Sequence, residues 1–350
     1  MFLKSLFTKI IITVVFGVFC QMANAQMATE LHSFQLPEKK VVNSIYNSIA
    51  VIDARNDTTN LGIIQTGALN KKKLLIPKEP LSVQFQSILT ALTDNTAKPG
   101  QLLIQLRRLA FSEATTVWSE KGFFTFRAEL YARQNDAFKK LSTIDTLLTV
   151  SAMDVTNKTL KTGSEIIADY IAANLYKQPI DGIDSYSAHD VAKIDSIEKS
   201  TLKLYTTNTY VDGVYLNYYM FREQTPDAKI MVDGDEIKKN NVTFIDSDGI
   251  LRHVKLASAY ALVFKGRPYI ATEYGFLPLK KVNNDFVFIS KLNTAKNGDV
   301  LMASALFGVV GGAIAASQKS DFEMKIDHNS GQIITGKEIN KEAKKDPVYN

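Results

Sequence analysis

The sequence predicts an α+β fold. An N-terminal, mostly antiparallel sheet carries two helices, and a β-rich meander or small barrel with one apolar glycine-zipper helix follows. Three observations predict it. Residues 80–94 and 157–175 place apolar side chains at helical spacing. Between them lie three long stretches with strand character. Beyond residue 203, short apolar runs alternate with turn pairs such as Asp233-Gly234 and Lys265-Gly266. The 350 residues are 45% hydrophobic and 22% charged, which excludes wholesale disorder and low complexity and suits about two domains.

Residues 1–25 read as a secretory signal peptide. Lys4 and Lys9 form a basic start, Ile10–Phe19 an apolar core, and Ala23-Asn24-Ala25 a small-x-small site, so cleavage is expected between Ala25 and Gln26. The apolar core is shorter than the ~20 residues of a spanning helix. Cys20 is the single cysteine, but bulky Phe19 stands where lipoprotein processing wants a small residue. Removing 25 of the 350 residues leaves 325 with no cysteine, and the loss of two lysines lowers the formal charge from +5 to +3. Disulfides, thiol catalysis and zinc thiolates are then excluded, and nucleic acid is not expected as a partner. The expected location is the periplasm or outer membrane, or secretion.

Residues 26–46 form a polar lead-in to an α+β domain over 47–176. Ile49–Asp53 and Leu61–Ile64 read as short strands, and Lys71-Lys72-Lys73 through Pro80 as an exposed connection. Pro80 opens a helix with Val83, Ile88, Leu89 and Leu92 on its apolar stripe. Strands are expected at Gln101–Phe111, Gly122–Arg133 and Lys140–Ser151. The second alternates Phe124, Phe126, Ala128 and Leu130 against Thr125, Arg127, Glu129 and Tyr131, as in a sheet covered on one face. Asn157 is the expected cap of a helix reaching Leu175, with Leu160, Ile166, Ile167, Tyr170 and Ile171 on its buried side.

Residues 177–202 read as a linker and connecting helix, 203–339 as the β-rich domain and 340–350 as a charged tail. Turns are expected at Asp212-Gly213, Asp233-Gly234, Asp248-Gly249, Lys265-Gly266 and Asn283-Asn284. Strands are expected at Tyr260–Phe264, Pro268–Glu273, Phe276–Val282, Phe286–Leu292 and Phe322–Asp327. The cluster Tyr205, Tyr210, Tyr215, Tyr218, Tyr219 and Phe221 reads as packing rather than a stacking surface.

Val300–Ser317 has eighteen residues and no charge. Ser304, Gly308, Gly312 and Ala316 recur every fourth residue and share one helical face, where small side chains allow another backbone to approach. Three readings stand: a core helix packed on its own sheet, a membrane-inserting or self-associating helix, and a buried hairpin. Strands on both sides of it favour the first.

Signatures of chemistry are scarce. The histidines His32, His189, His253 and His328 are scattered, with no H-E-x-x-H, G-x-S-x-G, S-x-x-K or P-loop pattern. Ser185, His189 and Asp190 fit a capped turn better than a triad. The acidic turns at 233–236 and 246–249 lack the next calcium ligand, since Ile237 and Ile250 stand there. Glu113, Glu120 and Glu129 lie near strand ends and are the available carboxylates for a hydrolase. No catalytic, cofactor-binding or metal-binding residue is assigned.

Val51-Ile52-Asp53-Ala54-Arg55, followed by a turn, Leu61-Gly62 and a helix from Pro80, resembles the V-x-D-x-R pattern of envelope lipoproteins of the YajG and CsgG-accessory kind. The resemblance covers residues 47–175, and the chain departs from it in lacking a credible lipidated cysteine. The second domain resembles a recurring domain of exported bacterial proteins without established activity, on Asp212-Gly213-Val214-Tyr215, Phe221, Pro226 and Gly266-Arg267-Pro268-Tyr269-Ile270. Both resemblances imply the cell envelope. The expected function is a non-enzymatic exported binding or assembly component with an envelope protein or glycan as partner and no cofactor. The alternatives are a carboxylate-dependent hydrolase of envelope glycans or peptides, and a protein that contacts membrane or itself through Val300–Ser317.

Overall fold

The computed structural model describes residues 27–66, 71–115, 120–180, 182–291 and 321–339. Strands β1 (Thr29–His32), β2 (Ser48–Asp53), β3 (Gly62–Thr66) and β4 (Lys71–Pro77) precede helix α1 (Leu81–Leu92). Strands β5 (Gln101–Thr115), β6 (Glu120–Gln134) and β7 (Ala137–Val150) precede α2 (Val155–Ala172). One sheet joins them in the order β1-β4-β3-β5-β6-β7, and β8 (Ser185–Tyr186) extends it from within the expected linker. The long β5, β6 and β7 are antiparallel. Strands β2 and β3 run parallel to β5, one after the other along its free edge.

The expected connection at 71–77 is instead β4, held between β1 and β3. Its lysines fray outward at one end, where Lys73 pairs with Glu30, while Leu75 is fully buried. Helix α1 buries Leu81, Phe85, Ile88, Leu89 and Leu92, and Val83 turns out to solvent. Helix α2 starts before its expected cap. Val155 packs where Gly122 of β6 leaves no side chain, so the first turn begins there and Asp154 caps it, accepting the Asn157 N–H at 3.1 Å. Both helices cover the face of the sheet that carries Phe124, Phe126, Ala128 and Leu130. Gly62 enters β3 at φ 110°, where a Cβ would meet the Phe111 carbonyl oxygen at 1.9 Å.

The opposite face of β6 is covered as well, contrary to the one-faced sheet its alternation suggested. Thr125, Arg127, Glu129 and Tyr131 are all buried. Short helices α3 (Ala188–Ala192), α4 (Ile194–Thr201) and α5 (Lys203–Thr206) lead into the second unit on that side.

The second unit holds three small sheets. The first contains β9 (Gly213–Tyr215) and, after helix α6 (Tyr218–Glu223), three further strands. Between them, β10 (Ile230–Val232), β11 (Val242–Ile245) and β12 (Leu251–His253) form a separate meander. The first sheet then continues with β13 (Ala261–Phe264), β14 (Arg267–Thr272) and β15 (Gly275–Pro278). A third sheet runs β16 (Lys280–Val282), β17 (Asp285–Lys291), β18 (Asp321–Ile326) and β19 (Ile333–Ile339). The expected strand 276–282 is therefore divided at Leu279 between two sheets. Asp212-Gly213 is not a turn: Gly213 opens β9, and the Asp212 carboxylate accepts the N–H groups of Lys265 and Gly266. Both residues of the tight turns Lys265-Gly266 and Asn283-Asn284 have positive φ, as two-residue hairpins require.

Tyr205, Tyr215, Tyr218, Phe221 and Phe286 meet in the core between the first and third sheets. Tyr219 alone of the aromatic cluster is largely exposed. Strands β17 and β18 pair with Lys291 opposite Asp321. The leader, Ala25, Gln26 and the glycine-rich residues Ser304, Gly308, Gly312 and Ala316 lie outside the described residues. No described helix is long and apolar enough to cross a membrane. The chain is a sheet-rich α+β protein.

Candidate functional site at the junction of the two units

The polar face of β5 and β6 meets the second unit, and charge converges there. Along β5 the apolar residues facing the helices are Leu102, Ile104 and Leu106, then Leu109 and Phe111. The change of phase is a β-bulge between Leu106 and Arg108. It sends Arg107 and Arg108 to the same face, beside Arg127 of β6.

Arg107 is held by three carboxylates. Nη2 lies 2.9 and 3.0 Å from the Glu198 oxygens and 3.4 Å from Glu129, and Nη1 lies 3.0 Å from Asp195. Burial pulls its pKa down, but Glu129, Glu198 and Asp195 outweigh burial and hold it above the ordinary value. Glu198 of α4 also meets His328 Nε2 at 2.7 Å and accepts from Asn329 at 3.1 Å. Burial would raise Glu198, yet His328, Arg107 and Asn329 bring it down to about 2. Arg127 Nη1 donates to Asp327 at 2.8 Å. The other Asp327 oxygen accepts from Asn329 N, Ser330 N and Ser330 Oγ. Burial opposes that ionisation, but Arg127 and the turn hold Asp327 at about 2.

The V-x-D-x-R segment lies at the edge of this junction. Between β2 and β3 the chain leaves β5, and the Arg55 side chain fills the gap. Its Nε and Nη2 each lie 2.8 Å from the Asp53 carboxylate, and Nη1 donates to the carbonyls of Asn60 and Leu109. A cavity of about 90 Å³ opens beside it, lined by Arg55, Arg107, Arg108, Arg127, Lys325 and Asp327 among others.

Asp195, Glu198 and His328 place ligand atoms within 4.8 Å of one another, the spacing a metal ion would need. Arg107 already supplies positive charge to both carboxylates, and a metal would displace it. The donor set fits an arginine-centred ion-pair network better than a metal centre.

The remaining sequence candidates separate. Glu113 pairs in register with Gly122, seven residues along β6 from Glu129, a separation of ~23 Å at ~3.3 Å per residue. The two also point to opposite faces, Glu113 toward α2 and Glu129 toward Arg107. They cannot flank one glycosidic bond, which takes carboxyls ~5–9.5 Å apart. Glu113 and Glu120 share one end of the sheet. Burial raises Glu113, and the Gln65 N–H bonded to it at 2.9 Å opposes that shift. Ser187 and Asp190 form a reciprocal cap on α3, so Ser185, His189 and Asp190 make no triad. Asp246 accepts the N–H groups of Asp248 and Ile250 within its own turn. His32 packs edge-on to Phe34 and Phe111, and burial lowers its pKa. His253 is exposed. The tandem arginines and the role of the Asp327–Ser330 turn in the junction were missed by sequence reasoning. The phase slip around Arg107-Arg108 was the available signal.

No family model matches the sequence, and no curated protein matches it. Among solved structures, the chain is similar to an uncharacterised protein at 12% identity and a TM-score of 0.24, covering 42% of this chain and 98% of that one. It is also similar to protein XCC0632 from Xanthomonas campestris, of family-model DUF330, at 8% identity and a TM-score of 0.28, covering 42% and 95%.

Proposed function

We propose that the chain is an exported cell-envelope protein that acts as a binding or assembly component. The observation that carries the binding role is the cavity at the junction, where Arg55 of the V-x-D-x-R segment, three further arginines and the Asp327 turn of the second unit converge. Ligand sites favour such boundaries between folded units. Export is supported by the leader, with Lys4, Lys9 and the Ala23-Asn24-Ala25 site, and by a chain free of cysteine beyond it. The resemblance to YajG and CsgG-accessory envelope lipoproteins supports the same compartment. The partner is an envelope protein or glycan. A hydrolase built on Glu113 with Glu129 is not part of this reading, because the sheet separates them.

Fractionation of the native host, carbonate extraction of the membranes and intact mass test the proposal. The expected result is a carbonate-soluble chain that begins at Gln26. A cytoplasmic chain that keeps its leader overturns it. A carbonate-resistant chain favours membrane contact through Val300–Ser317, and a chain acylated at Cys20 favours the lipoprotein route.

A further inference from the structure

One cation at the junction has no bonded partner among the described residues. Arg55 is spent on Asp53 and backbone carbonyls. Arg107 is spent on Glu129, Asp195 and Glu198. Arg127 is spent on Asp327 and Asp145, and Lys325 on Asp285. Arg108 is only 9% exposed, and it makes no hydrogen bond or ion pair among the described residues. It lines the same cavity as the other three arginines. Asp145 and Asp327 act on it from a distance, and Arg127 repels it.

A guanidinium cannot relieve its burial by losing a proton. The Arg108 side chain is nine-tenths buried, no acceptor among the described residues meets its donors, and it lines the cavity, where a partner can reach them. The partner that meets both needs carries negative charge and at least two acceptor oxygens, the geometry that the arginine fork recognises. The cavity, about 90 Å³, admits such a group and little more. Asp57, Asp195 and Asp327 also line the cavity, but each is already engaged: Asp57 accepts from Thr59 and Asn60, Asp195 pairs with Arg107, and Arg127 and three donors of its own turn hold Asp327.

We infer that the junction cavity is a binding site for a small oxyanion, a phosphate or carboxylate group, gripped by the Arg108 guanidinium. The site is independent of the envelope reading and stands wherever the protein resides. It would join the sheet of the first unit to the Asp327 turn of the second through one bound group.

Titration calorimetry on the chain beginning at Gln26 tests the inference, with inorganic phosphate, glycerol 3-phosphate and acetate each added at constant ionic strength in chloride. The wild type should bind at least one of them saturably. Phosphate and glycerol 3-phosphate binding without acetate assigns a phosphoryl group, free or esterified according to which binds tighter. Acetate binding assigns a carboxylate. Arg108→Met should weaken that binding at least tenfold, with its circular dichroism unchanged. In chloride alone, Arg108→Met should melt at a higher temperature than the wild type, because it removes a buried charge that no bonded partner compensates. A purely structural arginine would shift melting the other way. Absence of binding by the folded wild type overturns the inference, as does undiminished binding by Arg108→Met.

Discussion

At the tip between β18 and β19, Asp327 divides its two oxygens between the units. One accepts from Arg127 on the sheet of the first unit, and the other ties up its own turn through Asn329 and Ser330. Asp327→Asn keeps an acceptor for the turn and removes the charge opposite Arg127. A buried ion pair that loses one member leaves the other uncompensated, at a cost of about 3–5 kcal/mol. The lower end applies here, since Asp145 still lies 3.6 Å from Arg127 Nε. Urea unfolding should show a loss of about 3 kcal/mol in Asp327→Asn, and most of it should return in the double variant with Arg127→Met. A double variant as unstable as the single one would mean that the turn, and not the ion pair, carries the effect.

Among the elements, the helices were legible because one face of each is apolar and nothing competes with that period. Phe85, Ile88 and Leu89 of α1 and Ile167 and Ile171 of α2 are fully buried as their spacing requires. Strand β6 was legible in phase but not in burial. Alternation says that two faces differ in polarity; it does not say that the polar face meets water. Arg127 and Glu129 are buried there because carboxylates and guanidiniums from other elements neutralise them. Strand β4 was hidden by its three lysines, which a strand edge tolerates as readily as a loop does. Where α2 meets the sheet, Gly163 sits on the Phe111 ring, and an added Cβ would lie 2.5 Å from Phe111 Cε1. Phe111 has little freedom to withdraw, being packed on Phe124 at 4.6 Å between centroids. Gly163→Ala should therefore destabilise by about 1–3 kcal/mol through overpacking, although alanine favours helix by about 1 kcal/mol over glycine. A gain in thermal midpoint would show that the contact relaxes freely.

The whole molecule depends on contacts that sequence order conceals. Glu198 lies 91 residues from Arg107 and 130 from His328, so no local motif announces the junction. Only folding brings a strand bulge, a connecting helix and a hairpin tip to one point. That arrangement sets the response to acid. Glu198 falls from 4.5 to about 2 and Asp327 from 3.8 to about 2. A depressed carboxylate adds stability that is complete above its unfolded pKa and disappears as pH drops through its folded one. At about 1.4 kcal/mol per pKa unit, each contributes about 2–4 kcal/mol at neutral pH. These two groups should leave stability level from pH 7 to about 5 and erode it between about 4.5 and 2. Because both groups bridge the units, the loss should appear first as separation of the units. Urea midpoints measured across that range should fall in the wild type and fall less steeply in Glu198→Gln, which no longer titrates at that position. An acid slope in Glu198→Gln equal to that of the wild type would place the pH dependence elsewhere and remove the junction from the account.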